Sequence, residues 1–297
     1  MNEDRQREMN LRQILQSLSY RVAYQDVDFL MQPEMRAARM ELEFLKPEMY
    51  FQRNNIRSTV VLFGSTRIIE PAAAQEQLER ARARLADTPN DQRRQRAVAR
   101  AEQLAKRSHY YDTAREFARL VSTASKEGGG SDYVVTTGGG PGAMEAANRG
   151  AYEVGAKSIG LNIRLPREQQ PNPYITPDLC FQFHYFAMRK FHFLLRAKAL
   201  VVFPGGFGTL DELFDALTLR QTGRMQEIPV IMFGREYWQQ AINFNFLTDA
   251  GTVDDADLDL ISYAETAEEA WNMIQQFHRH RPTGEWTASG SDAWSTG

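Results

Sequence analysis

The chain has little of several things. It holds one cysteine, Cys180, in 297 residues, so no intrachain disulfide is possible and a cysteine-based metal cluster is not expected. No apolar run approaches the ~20 residues that cross a bilayer. Charge of one sign is lacking too: 35 basic residues face 38 acidic ones, for a net charge of -3. That balance gives no global electrostatic case for nucleic acid or a membrane as partner. The start, Met1-Asn2-Glu3-Asp4-Arg5-Gln6, is polar and lacks the apolar core of a signal peptide, so a reducing cytoplasm is the expected compartment. There is no internal repeat. What is present is 42% hydrophobic residues, ample for a large core.

The most informative stretch is Val201-Val202-Phe203-Pro204-Gly205-Gly206-Phe207-Gly208-Thr209-Leu210-Asp211-Glu212-Leu213. An apolar run over 199–203 reads as a buried strand, broken at Pro204-Gly205-Gly206 and followed by a helix from about Leu210. A glycine-rich turn at a helix N-terminus leaves backbone N–H groups and the positive dipole end for an anion such as phosphate. The competing reading is a capping box, with Thr209 as cap and Glu212 three residues on. It does not account for three glycines in four residues, so the phosphate reading is preferred.

Other apolar runs give strands at 59–63, 132–137, 157–163, 179–183 and 228–233, six in all. Helical patterns alternate with them, close to 113–125, 143–154, 189–198, 210–219, 236–248 and 266–280. This alternation predicts an α/β fold, a doubly wound Rossmann-like parallel sheet over 57–281. Residues 1–56 read as an N-terminal helical extension, with Leu11, Ile14, Leu15 and Leu18 on one face. A second segment after Pro33 is stopped by Pro47, and its methionine-rich stripe is expected to be core. Residues 71–107 read as a helical insertion in two arms divided at Thr88-Pro89-Asn90-Asp91. Its arginines alternate with carboxylates and lack aromatic neighbours, which favours a solvated face over a nucleic-acid site. The Gly-, Ser- and Thr-rich segment 282–297 is expected to be disordered.

In such sheets ligands bind beyond the carboxyl ends of the strands, at the switch point in strand order. Three loops there have suitable chemistry: Gly64 to Arg67, Gly138 to Met144, and Pro204 to Thr209. Gly138, Gly140 and Ala143 satisfy a loose dinucleotide pattern, but the next strand runs into Arg164-Leu165-Pro166 without the acidic residue that would hold a ribose. NAD is therefore a minor reading. No G-x-x-x-x-G-K-[ST] run is present. Arg189 and Lys190 are placed to contact phosphate or a departing base. His184 and His192 lack a second ligand at metal spacing, so no metal is expected.

Three motifs in order resemble one family. Gly138 to Met144 is similar to the G-G-G-x-x-G-x-M loop of the LOG ("lonely guy") proteins, often labelled lysine decarboxylases. Met188-Arg189-Lys190 is similar to their arginine–lysine helix, and Pro204 to Glu212 to their P-G-G-x-G-T-x-x-E motif. The resemblance covers residues 58–280. It implies a nucleoside 5′-monophosphate phosphoribohydrolase that releases a base and ribose 5-phosphate, with AMP-like or cytokinin nucleotides as substrates. By motif position, Arg189 and Glu212 would be catalytic. Gly205, Gly206, Gly208 and Thr209 would hold the phosphate, and Gly139, Gly140, Ser65, Lys190 and Met188 would line the nucleotide. No cofactor is implied, and a homodimer or hexamer is expected. The rival from another class is a nucleotide or molybdenum-cofactor carrier that does not hydrolyse its ligand.

Overall fold

The computed structural model describes residues 3–165 and 170–280, the side chain of His280 excepted. The segment 282–297 lies outside them. Contacts divide the chain into two units, Met1–Glu48 and Met49–Gly297. The first contains α1 (Glu3–Gln16), α2 (Val27–Leu30) and the start of α3 (Arg36–Arg53). No residue of α1 is buried, and Leu11, Ile14, Leu15 and Leu18 are all exposed. The methionine-rich stripe is not core either: Met35 and Met40 are half-buried, and Leu42 and Leu45 are exposed. Pro47 does not stop the helix, which runs through it to Arg53. A proline removes one N–H and crowds the preceding turn, a cost this helix absorbs.

The second unit is built on seven strands: β1 (Thr59–Phe63), β2 (Val134–Thr137), β3 (Ser158–Ile163), β4 (Cys180–Phe183), β5 (Ala197–Val202), β6 (Val230–Phe233) and β7 (Ile261–Ala264). They form one sheet in the order β4-β3-β2-β1-β5-β6-β7, and every pairing is parallel. The doubly wound fold is thus as the alternation of elements predicts. Six strands are expected from sequence and seven are present. β7 escapes notice because it is short, follows a turn-rich stretch and buries only Ala264 fully.

The helices are α4 (Pro71–Ala86), α5 (Gln92–Arg107), α6 (His109–Glu127), α7 (Ala143–Glu153), α8 (Phe186–Leu195), α9 (Phe207–Gln221), α10 (Arg235–Ala241), α11 (Phe244–Asp249) and α12 (Ala267–His280). Strand pleating sorts the core into two layers. Val60 and Leu62 of β1 pack with Tyr111, Phe117 and Val121 of α6, the alanines of α7, and Ile274 of α12. Val61 and Phe63 point the other way, to Phe193 of α8, Leu213 of α9 and Trp238 of α10. Helices α6 and α7 approach so closely that a Cβ on Gly150 would strike the Arg115 carbonyl. Helices α4 and α5 form a hairpin between β1 and α6. Asp91 caps α5 by accepting from the N–H groups of Arg93 and Arg94, and Arg82 pairs across the hairpin with Glu102 at 2.8 Å. Among the described residues, no helix is long and apolar enough to cross a membrane.

Candidate active site

Strand order reverses between β1 and β5, so their carboxyl ends open the crevice where an open α/β sheet can take a ligand. With β2 on the other side of β1, the three glycine-containing loops sit side by side. Ser65 stitches them together: its N–H donates to Pro204 O at 3.0 Å, and its carbonyl accepts from Ala143 N at 3.2 Å. Gly64 is the contact point, since a Cβ there would lie 2.7 Å from Ala143 Cβ. Gly142, at φ +77°, lets the chain turn into α7 beneath Ser65, where a side chain would strike the Ser65 carbonyl.

The loop after β5 enters α9 at Phe207, earlier than the sequence pattern suggests, with Gly206 as N-cap and no side-chain cap. The Thr209–Glu212 capping box is therefore not formed. Gly206 and Gly208 face open space: a Cβ on either would meet no atom within 4 Å. Thr209 is buried against Gly205, where a side chain would collide with it. Between the glycines, Phe207 is 92% exposed. The first-turn N–H groups of α9 thus point out of an uncapped helix end beside a small, open loop, the arrangement that favours an anion.

Arg189 and Glu212 meet at this crevice. Arg189, on α8, is 9% exposed. Its Nε donates to Leu161 O of β3 at 2.8 Å, and its Nη1 lies 3.4 Å from Glu212 Oε1. Gly138 makes room for it, because a Cβ there would sit 2.5 Å from Arg189 Nη2. Phe193 lies beneath the guanidinium, 5.0 Å from ring centroid to Cζ. Glu212 stands one helical turn into α9. Burial pushes its pKa from the ordinary 4.5 up to about 7, with Arg189 only partly offsetting the effect. Burial also lowers the Arg189 pKa, against the pull of Glu212 and Asp211. In both partners desolvation outweighs the attraction of the other, as expected where an ion pair at 3.4 Å is taken out of water.

The other expected residues are placed more loosely. Lys190 is engaged by Asp211 at 2.8 Å and Asp215 at 3.3 Å. Partial burial acts to lower its pKa, but those carboxylates prevail and the net shift is upward. Met188 is half-buried and packs on the layer of α8 to α10. Gly139, at φ +71°, lies against the Asn162 side chain, and Gly140 is buried beside it.

Some supporting residues are not evident from the motifs. Asn148, fully buried on α7, accepts from Thr137 Oγ1 at 2.7 Å and from Asn172 Nδ2 at 2.9 Å. Thr137 Oγ1 in turn accepts from Gly139 N at 3.0 Å. Asn172 grips the loop through Gly139 O at 2.9 Å and Gly140 O at 3.1 Å. Tyr237 of α10 donates to Gly205 O at 2.7 Å, and the Arg107 guanidinium sits over its ring at 5.6 Å. The signal for Asn148 was a lone amide on the alanine face of α7. Tyr237 gave none.

An open parallel sheet with a buried arginine–glutamate pair and an uncapped glycine-rich helix start at its switch point defines a Rossmann-like α/β protein with a candidate site between β1 and β5. Comparison with known proteins narrows the class. Residues 144–274 match a family model described as possible lysine decarboxylase. The chain is similar to the cytokinin riboside 5′-monophosphate phosphoribohydrolase LOG3 of Arabidopsis thaliana, 23% identical over 177 residues, 58% of this chain and 77% of that one. It is also 25% identical over 173 residues to the probable cytokinin riboside 5′-monophosphate phosphoribohydrolase LOGL3 of Oryza sativa subsp. japonica, covering 55% and 76%. Over these residues the chain is similar to LOG proteins. A structural-genomics crystal structure matches with a TM-score of 0.42 and 28% identity, over 57% of this chain and 89% of that one. The molybdenum cofactor binding protein from Rippkaea orientalis matches with a TM-score of 0.41 and 20% identity, over 57% and 87%.

Proposed function

We propose that this protein hydrolyses the N-glycosidic bond of a nucleoside 5′-monophosphate, AMP-like or a cytokinin riboside monophosphate, to a free base and ribose 5-phosphate. The observation that carries the reading is the buried Arg189–Glu212 pair, 3.4 Å apart, one helical turn from the open N-terminus of α9. A 5′-phosphate held by the N–H groups of Phe207, Gly208 and Thr209 puts the ribose toward Glu212. As the C1′–N bond lengthens, positive charge grows on the ribose and negative charge on the base. The Glu212 carboxylate stabilises the first and takes a proton from the water that adds to C1′. Arg189 stabilises the second as the base leaves, and the proton that water gave to Glu212 passes on to the base, so the net change is addition of one water across the C1′–N bond. A base with a pKa near 7 suits the transfer, and fixed charges in a water-poor site contribute more than they would in solvent. The names of the two plant relatives point to the same reaction. Decarboxylation through a lysine Schiff base fits poorly, because the lysine beside the site, Lys190, is held charged by two aspartates and such a lysine must be neutral to react. The same reading includes self-association as a dimer or hexamer.

The test is incubation with AMP, GMP, CMP and isopentenyladenosine monophosphate, with free base and ribose 5-phosphate followed by chromatography. Release by the native protein that vanishes in Glu212→Gln supports the proposal. AMP raising the melting temperature without any release overturns it in favour of a nucleotide carrier.

A further inference from the structure

The α4–α5 hairpin and the turn after β1 enclose a groove of ≈ 930 Å³ lined by Thr66, Arg67, Ile69, Gln77, Arg80, Arg84 and Arg100, with alanines and Leu104 between them. We infer that this groove is a second ligand site, which binds the phosphate chain of a nucleoside di- or triphosphate. Three observations carry the inference. The first is how the structure sorts the charges. Residues 71–107 hold nine basic side chains against five acidic ones, and their interleaving suggests a solvated face. In the fold, four arginines line the groove and, among the described residues, no carboxylate does. Glu102 faces Arg82 across the hairpin, and Glu76 holds Arg80 by one oxygen at 2.5 Å. Arg67, Arg84 and Arg100 have no carboxylate partner among the described residues. Like charges gathered without counter-ions repel one another, and a polyanion relieves that repulsion with charge-assisted, often bidentate hydrogen bonds.

The second observation is the floor. Ile69, Ala81, Ala97, Ala101 and Leu104 give a smooth aliphatic surface flanked by the Gln77 and Gln103 amides. That combination suits a planar base, and the volume is that of a small-molecule site. Among the described residues no aromatic side chain lines the groove, so the stacking platform of a single-strand nucleic-acid site is missing.

The third is where the groove leads. Thr66 and Arg67 continue the turn of Ser65, whose Oγ accepts from Arg67 N at 3.1 Å and whose backbone ties the β1, β2 and β5 loops together. At the far end of α5, Arg107 covers Tyr237, which holds Gly205. A ligand that draws the arginines together therefore bears on both sides of the crevice.

The experiment is titration calorimetry of the full chain with ATP, GTP, ADP and tripolyphosphate. AMP reports separately on the crevice at Glu212. Triphosphate affinity should fall at least tenfold in Arg84→Ala/Arg100→Ala while AMP affinity is unchanged. Arg84→Lys/Arg100→Lys should fall between, because a lysine keeps the charge and loses the fork. Both arginines are exposed, and unchanged melting temperatures will show that the variants fold. No heat with any nucleoside di- or triphosphate overturns the inference, as does binding that survives in the alanine variant. Tripolyphosphate or a single-stranded RNA binding more tightly than ATP overturns the assignment to a nucleotide. None of these readouts needs base release, so failure of the hydrolase reading leaves the test intact.

Discussion

Glu212 binds its proton more tightly in the folded protein than a glutamate in an unfolded chain, and the consequence can be measured without substrate. Its pKa rises from 4.5 to about 7 on folding. Between those values the native state holds a proton that the unfolded state has lost, so stability falls as pH rises through this window. At ~1.4 kcal/mol per tenfold, the full penalty is about 3 kcal/mol above pH 7. Roughly 2 kcal/mol of it develops between pH 5 and 8. Glu212→Gln removes the titration. The attraction to Arg189 exists only once Glu212 is ionised and is already included in its folded pKa, so the difference between the two proteins follows the titration of Glu212 alone. Native protein should thus lose ~4–8 °C of melting temperature relative to Glu212→Gln on going from pH 5 to pH 8, at ~2–4 °C per kcal/mol for a domain of this size. Differential scanning calorimetry of both proteins across that range is the assay. Parallel melting curves would refute the reasoning, because Glu212 would then titrate like a solvated carboxylate. A companion measurement is kcat/KM for base release, which should rise with pH and level off above about 7 as the carboxylate forms.

Two further outcomes follow from contacts around the crevice. Gly138→Ala places a Cβ 2.5 Å from Arg189 Nη2 and 2.9 Å from Met144 Sδ. Both are side-chain ends that can move, so the melting temperature should change little while, on the proposed reaction, kcat drops on the order of 10²-fold, the cost of misplacing Arg189; equal losses of stability and activity would contradict this. Asn148→Ala strips the acceptor from Thr137 Oγ1 and Asn172 Nδ2 in a buried network. It should cost about 2–4 kcal/mol in urea unfolding, and a loss below ~0.5 kcal/mol would show that the network relaxes.

Much of this was legible in the sequence because the signals were local. Runs such as Thr59–Phe63 and Ala199–Phe203 are apolar on both faces, as a strand covered on both sides must be. The glycine loops announce close backbone approach. The switch point follows from strand alternation once the order is known. What stayed hidden depends on distant partners. Lys190 reads as a free cation beside Arg189, yet Asp211 and Asp215, two turns of another helix, engage it. Tyr237 carries no pattern of its own, and its hydroxyl matters only because β6 lies next to β5. The sequence pattern starts α9 late because Phe207, an apolar residue almost wholly in solvent, looks like part of the loop.

The β1–β5 seam gives the fold a kinetic character. Thr59 pairs with Ala197 across nearly half the chain, and closing so long a loop is slow relative to local helix and βα formation. One flank of the sheet (β1 to β4) and the other (β5 to β7) are each contiguous in sequence and can collapse on their own. The crevice exists only once they zip together, because Ser65 and Gly138 come from one flank and Gly205 and Glu212 from the other. Function is therefore the last property to appear during refolding, later than compactness or helix content, and the first to vanish when the seam opens.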